Sequence, residues 1–180
     1  MGEVVFGMNA SLDLFVDHEA LTTDAVLFRH WLQVLRSASA ALYGRRIYQL
    51  MQYWDGSDPA WDADAQEFAA VWQAQRKYVA SRGQPAMGPG AELIQGDVAG
   101  FLRALKAELP GTITVSGTDL AASLSAARLI DTYRLYLHPV VLGQGTAFFR
   151  STDLPKLRLV ETLQINADVV RLSYAAVHSG

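Results

Sequence analysis

"TITVSGTDLAASLSAARLIDTYRLYLHPVVLG" (residues 112–143) decides the fold. Its opening, "TITVSG" (112–117), is a β-branched run closed by Gly117, which reads as a buried strand with a tight exit. "TDLAASLSAARL" (118–129) then repeats apolar residues at helical spacing, and "TYRLYLHPVVLG" (132–143) is again strand-like. Strand, helix and strand in so short a span form a βαβ unit, so the sheet is at least partly parallel and the class is α/β.

Working outward, "EVVFGM" (3–8) reads as a first buried strand and "NASLD" (9–13) as a polar turn after it. Thr22, Thr23 and Asp24 are N-cap types, and Val26, Leu27, His30, Trp31, Val34 and Leu35 recur behind them at helical spacing. A second strand, "ALYG" (41–44), leads into a short helix, "RRIYQLMQYW" (45–54). "DPAWDADAQEFAAVWQAQ" (58–75) is read as one helix with Pro59 near its start and Trp61, Phe68, Val71 and Trp72 on one face. "KYVAS" (77–81) and "AELIQG" (91–96) are strands around the Gly/Pro-rich loop "RGQPAMGPG" (82–90). Asp97 caps the helix "VAGFLRALKAEL" (98–109), which Pro110-Gly111 ends. "LRLVETLQI" (157–165) and "VVRLSYAAV" (169–177), joined by "NAD", read as a C-terminal antiparallel hairpin. No stretch marks a domain boundary, so residues 1–180 are expected to form a single domain with a mixed sheet.

Composition narrows the function classes. The 180 residues are 51% hydrophobic and 18% charged, as in a globular protein. With 15 Lys+Arg against 18 Asp+Glu the formal net charge is -3, which offers no general attraction to nucleic acid or an anionic membrane. Any anion site must then be local. The absence of cysteine excludes disulfides, a thiol nucleophile and thiolate metal ligands, and no apolar run reaches membrane-spanning length. A soluble, cytoplasmic protein is expected.

Local anion sites have three candidates, each at a strand end. The first is Gly44-Arg45-Arg46, where Gly permits close backbone approach and two planar cations sit at a helix start that the macrodipole already makes positive. The second is Ser81-Arg82. The third is "VSGTDL" (115–120), where Ser116, Gly117 and Thr118 enter a helix with small or hydroxyl-bearing residues suited to a pyrophosphate. Taken singly, each is equally a solvated cation pair, a simple turn or an ordinary N-cap. Three in succession fit a dinucleotide laid along one edge of the sheet.

Other chemistries lack a motif. "GQGTAF" (143–148) has G-x-G without the third glycine or a following helix, and there is no Walker A loop or G-x-S-x-G elbow. His18, His30, His138 and His178 are scattered without metal-ligand spacing, so no metal is expected, and His138 reads as a strand-end packing residue.

The ordered series "VFGMNASLD", "ALYGRRIYQLM", "YVASR", "TITVSGTDLAASL", "LIDTYRLYLHPVVLGQG" and "LRLVETLQI" resembles the dihydrofolate reductase-like family that includes the RibD C-terminal reductase domain. The resemblance covers nearly the whole chain. It implies a three-layer α/β/α sandwich around a central mixed sheet, binding NADPH and passing hydride to a pterin-like or 5-amino-6-(5-phosphoribosylamino)uracil-like substrate of the riboflavin pathway. It places Gly44, Arg45 and Arg46 on cofactor phosphates, Ser81 and Arg82 on the adenosine 2′-phosphate, and Ser116, Gly117, Thr118, Asp119 and Leu120 at the pyrophosphate. Asn9, Ser11 and Asp13 fall in the loop that lines the nicotinamide and substrate pocket. Three departures stand out: Leu14 where the family has Gly after "SLD", Ile47 where it has Thr, and Ser116 where it has the first of two glycines.

Hydride transfer needs a proton source, and Asp13 is the leading candidate acid, with a turn-capping role as the alternative. Asp24 is a weaker candidate, and Tyr43, Tyr48, Trp31 and Trp54 are pocket walls or core. Two functions stay open: an NADPH-dependent reductase, or an NADP(H)-binding protein without turnover, either one as a homodimer paired through the C-terminal hairpin.

Overall fold

The computed structural model describes residues 1–151 and 153–177; His178 lies outside them. In chain order the elements are β1 (Glu3–Ala10), β2 (Phe15–Val16), α1 (Ala25–Ser37), β3 (Ala38–Gly44), α2 (Arg45–Met51), a 3₁₀ turn (Gln52–Asp55) and α3 (Ala63–Ala74). They continue with β4 (Lys77–Ala80), β5 (Ala91–Ile94), α4 (Val98–Glu108), β6 (Thr112–Ser116), α5 (Thr118–Ala126), β7 (Thr132–Leu137), β8 (Thr146–Ala147), β9 (Lys156–Gln164) and β10 (Val170–Val177).

Eight strands form the main sheet in the order β5-β4-β3-β6-β1-β7-β10-β9. β5 through β7 run parallel, and β10 is antiparallel to both β7 and β9. The sheet is mixed because the C-terminal hairpin returns without a crossover helix. β3 shows why helices cover both faces: Ala40 and Leu42 point into one core while Ala41 and Tyr43 point into the other, and all four are buried. Leu102 and Leu105 of α4 and Ala121 and Leu124 of α5 fill the first core. Leu32 and Leu35 of α1, Tyr48 of α2, and Phe68 and Trp72 of α3 fill the second. The result is three layers, α/β/α.

Two helix starts follow the caps read from sequence, Asp24 and Asp97, and Asp62 is a third cap. Asp24 accepts from Leu27 N–H, Asp97 from Gly100 N–H and Asp62 from Ala65 N–H, each at 2.8 Å. Asp62 also corrects the third helix, which starts at Ala63 and leaves Pro59 and Trp61 in the preceding turn. α5 stops at Ala126, short of Leu129, because the chain turns through Arg128 at φ 56°. β7 ends at Leu137, since Pro139 has no N–H to extend the ladder. The two-residue strands β2 and β8, paired as Phe15↔Ala147 and Val16↔Thr146, are a ribbon too short to leave a periodic signal.

Lys77 is fully buried at the start of β4, where its Nζ donates to the carbonyls of Trp72 and Gln75 and lies 4.7 Å from the Trp72 ring centroid. It closes the C-terminal end of α3, and burial pulls its pKa down to about 8.

Candidate functional site

Three strand ends meet in one row. Gly44 is level with Ala80 across β3 and β4, and Tyr43 is level with Ser116 across β3 and β6. Gly44, Ser81 and Gly117 therefore leave the same edge of the sheet on three adjacent strands, where α2 and α5 begin. The two glycines stand side by side. A Cβ on Gly117 would lie 3.4 Å from both Cα and N of Gly44, and one on Gly44 would lie 3.7 Å from Ser116 O. Gly117 also sits at φ 117°, a conformation that favours glycine. Ile47 explains its own departure from the family: it packs into both hydrophobic cores, with Cγ1 3.8 Å from that same Cβ position.

Cations surround the row. Arg45, Arg46 and Arg82 are exposed, and none enters an ion pair among the described residues. Arg45 reaches toward the second strand end, its Nη1 3.5 Å from a Cβ placed on Gly83. Ser81 Oγ accepts from Gly83 N–H at 3.1 Å, which shapes that turn. At α5, Thr118 is buried, Leu120 is half-buried, and Asp119 is exposed and paired with Arg150 Nε at 2.6 Å. Asp119 thus brings a negative charge to this helix start, and Arg150, which follows β8, brings a cation. Sequence reading missed Arg150 because no local pattern links residues 31 positions apart.

The loop after β1 is tied shut on the segment after β7. Ser11 is completely buried; its hydroxyl donates to Asp13 Oδ1 at 2.6 Å and accepts from Phe15 N–H at 2.9 Å. The Asp13 carboxylate also accepts from the N–H groups of Leu142, at 3.1 Å, and Gly143, at 2.7 Å. Hydrogen bonds, first from Ser11 and then from those two amides, hold its pKa down to about 2. An ionised carboxylate that accepts three hydrogen bonds is a poor proton donor, which matches the turn-capping alternative for Asp13, and the Ser11 hydroxyl is engaged within the same loop. Leu12 N–H to Val140 O at 2.8 Å and Phe148 N–H to Leu14 O at 2.8 Å complete the closure. Leu14 keeps the left-handed backbone, φ 62°, at the position where glycine was expected, with its side chain against the first core.

Asn9, on the α1 face of β1, lines a polar cavity of about 70 Å³ with Val16, Asp17, His18, Leu21 and Thr23. The aromatic candidates belong to packing instead. Tyr43 and Tyr48 are buried with Trp72, Trp31 stacks on Tyr136 at 4.4 Å, and Trp54 packs between Phe28 and Phe68. Asp24 caps α1 and accepts from Asn166 Nδ2 at 2.9 Å. No cluster of three His, Asp or Glu side chains is placed to hold a metal among the described residues, and no helix of theirs is long and apolar enough to cross a membrane.

A mixed sheet between two helical layers, with glycines and arginines that form no ion pair among the described residues along one parallel edge, defines a dihydrofolate reductase-like α/β fold. The family model for the RibD C-terminal domain matches residues 4–171, and the chain belongs to that family. The uncharacterized protein YyaP of Bacillus subtilis (strain 168) is 24% identical over 176 residues, 95% of this chain and 93% of YyaP. Among solved structures, a putative riboflavin biosynthesis protein from Shewanella sp. PV-4 matches with a TM-score of 0.74 at 14% identity, covering 99% of this chain and 100% of that one. Dihydrofolate reductase from Enterococcus faecalis, complexed with NADP(H), matches with a TM-score of 0.66 at 13% identity, covering 97% and 96%. The family match and these neighbours agree on the fold.

Proposed function

We propose that the chain is an NADPH-dependent reductase of a small heterocycle, pterin-like or 5-amino-6-(5-phosphoribosylamino)uracil-like. The observation that carries this reading is the row of level strand ends, where Gly44 and Gly117 leave no side chain in the way and Arg45, Arg46 and Arg82 have no carboxylate partner among the described residues. The residues present fit a dinucleotide. Gly44, Arg45, Arg46, Ser116, Gly117, Thr118 and Leu120 would hold the pyrophosphate region, and Ser81 and Arg82 the 2′-phosphate that separates NADPH from NADH. When bound, the cofactor supplies a hydride. The chain's part is to orient the two rings and exclude water, and the hydrogen-bonded loop of Ser11, Asp13 and Leu14, anchored by the buried Ser11, serves that role by fixing one wall of the pocket.

In this reading Asp13 positions the loop and water supplies the proton. A second reading, an NADP(H)-binding protein without turnover, is favoured by the engagement of both acids read from the sequence, Asp13 in its loop and Asp24 at the α1 cap. Either form is proposed as a homodimer. β9 is a nine-residue edge strand with Leu159, Val160 and Leu163 exposed, and its outer edge is open to pairing with a second copy.

The test is a fluorescence titration with NADPH and NADH, then a search for NADPH consumption over pterins and pyrimidines, with sedimentation to read the oligomer. Preferential NADPH binding with turnover supports the reductase. Binding without consumption supports the second reading, and no binding of either nucleotide refutes both.

A further inference from the structure

Two buried polar atoms at the carboxyl ends of β1 and β7 have no hydrogen-bond partner: Asn9 Oδ1 and His138 Nε2. Leaving such a group unpaired is costly, so a pair of them on neighbouring strands calls for a reason. They share a face. Asn9 is level with Tyr136, whose ring packs on Leu27 and Trp31 of α1, and alternation along β7 carries His138 to the same side. His138 N–H donates to Ala10 O at 2.9 Å, which keeps the two strands in register beyond the end of β7. The imidazole is 3% exposed. Burial holds its pKa below the ordinary histidine range against the opposing pull of Asp24, so it is a neutral ring at neutral pH. Asp24 follows Thr23, which with Asn9 lines the polar cavity.

We propose that Asn9 and His138 together position the substrate by reading a ring edge that carries adjacent N–H and C=O groups. Asn9 Oδ1 accepts the ring N–H, and His138 Nε2–H donates to the neighbouring carbonyl oxygen. An acceptor and a neutral donor on one face of neighbouring strands match a lactam or ureide edge, and reject a ring whose nitrogen is alkylated by leaving Asn9 unpaired. The proposal rests on the reductase reading for its place beside the cofactor edge, and it adds a residue, His138, that sequence reading assigned to packing.

The test uses the full chain with saturating NADP+ and, in parallel, without nucleotide. The probes are 6-aminouracil, which carries the edge, and 6-amino-1,3-dimethyluracil, which has no ring N–H. Wild type should bind the first at least tenfold more tightly, and the His138 Cε1–H NMR signal should shift on binding. Asn9→Ala and His138→Ala should each weaken 6-aminouracil at least tenfold with NADP+ affinity unchanged, while His138→Gln, which keeps a donor near Nε2, restores part of the loss. Thermal melts accompany each variant, and the Gln variant keeps the test decisive if the Ala variant melts early. Equal binding of the two probes, no binding of 6-aminouracil, or wild-type affinity in both His138 variants overturns the proposal. The last result would leave only a structural water between the two atoms. NADP+ titration of the same samples reports on the reductase reading separately, since probe discrimination can persist where the nucleotide fails to bind.

Discussion

Replacing Gly117 and Gly44 by alanine separates what the cofactor edge demands of the backbone from what it demands of a ligand. At Gly117 the backbone is at φ 117° and ψ 123°, and the new Cβ would lie 3.4 Å from two backbone atoms of Gly44. A sparsely populated backbone costs about 1–3 kcal/mol, and the tight contact with backbone, which cannot rotate away, raises the expected loss for Gly117→Ala to roughly 2–4 kcal/mol. In a chain of this length 1 kcal/mol moves the melting temperature by about 2–4 °C, so a fall of roughly 5–10 °C is expected. Gly44 differs because its backbone is ordinary, φ -69° and ψ 148°, and its nearest contacts would be 3.7–3.8 Å. Gly44→Ala should stay within about 1 kcal/mol of wild type in stability. Its methyl still stands at the mouth of the row, so NADPH affinity should fall about tenfold or more, equivalent to about 1.4 kcal/mol. Differential scanning calorimetry and nicotinamide fluorescence titration read the two effects. A Gly117→Ala protein melting within a degree of wild type, or a Gly44→Ala protein binding NADPH normally, would refute the reasoning.

The remaining predictions follow from single groups. Leu14 sits at φ 62°, so Leu14→Ala, which keeps a Cβ there, should be less stable than Leu14→Gly by up to about 1 kcal/mol; equal melting temperatures would contradict the strain. Lys77 has a folded pKa of about 8 against 10.5 for the free side chain, so between those values the unfolded chain binds more protons and stability rises with pH, by about 3 kcal/mol in all. Melts from pH 7 to 10 should show that rise in wild type and lose it in Lys77→Met; parallel curves would rule it out. Asp119→Ala removes a negative charge from the α5 start and releases Arg150, so it should tighten NADPH several-fold at low salt, with the gain fading in 0.5 M salt and smaller in the Arg150→Ala background. Asp13→Asn should reduce turnover through loss of the loop clip while leaving the pH profile between 5 and 8 unchanged, because the Asp13 pKa lies near 2, below that window; a limb that disappears with the substitution would restore its role as the acid.

Local chemistry made much of the fold readable. Asp24, Asp97 and the Pro110-Gly111 stop mark helix ends within the chain itself, and the parallel strands are continuous apolar runs because both faces of the sheet are covered. The three candidate strand ends were also legible as contiguous stretches, two leading into a helix and Ser81-Arg82 into a loop. Residues whose role is set by a distant partner were not. Asp13 looks like a free loop acid until the backbone amides of Leu142 and Gly143 are brought to it, and Arg150 looks like any surface cation until α5 places Asp119 beside it. The aromatic residues misled for the opposite reason: Trp61, read as helical, lies in the turn before Asp62, where its Nε1 donates to Tyr53 Oη at 2.8 Å.

The two halves of the site are built on different logic, and the three departures from the family sort accordingly. Ile47 and Ser116 lie on the cofactor edge, where backbone glycines and several cations act together, so one lost hydroxyl or one added side chain alters affinity without abolishing the surface. Leu14 lies in the substrate loop, which depends on one closed circuit: Ser11 to Asp13, Asp13 to Leu142 and Gly143, and Leu14 O to Phe148 N–H. A leucine held left-handed there adds core contacts at the cost of backbone strain, and it stiffens a wall that a glycine would leave free to move. The loop after β1 therefore carries the one of the three substitutions that changes how the backbone itself can adapt.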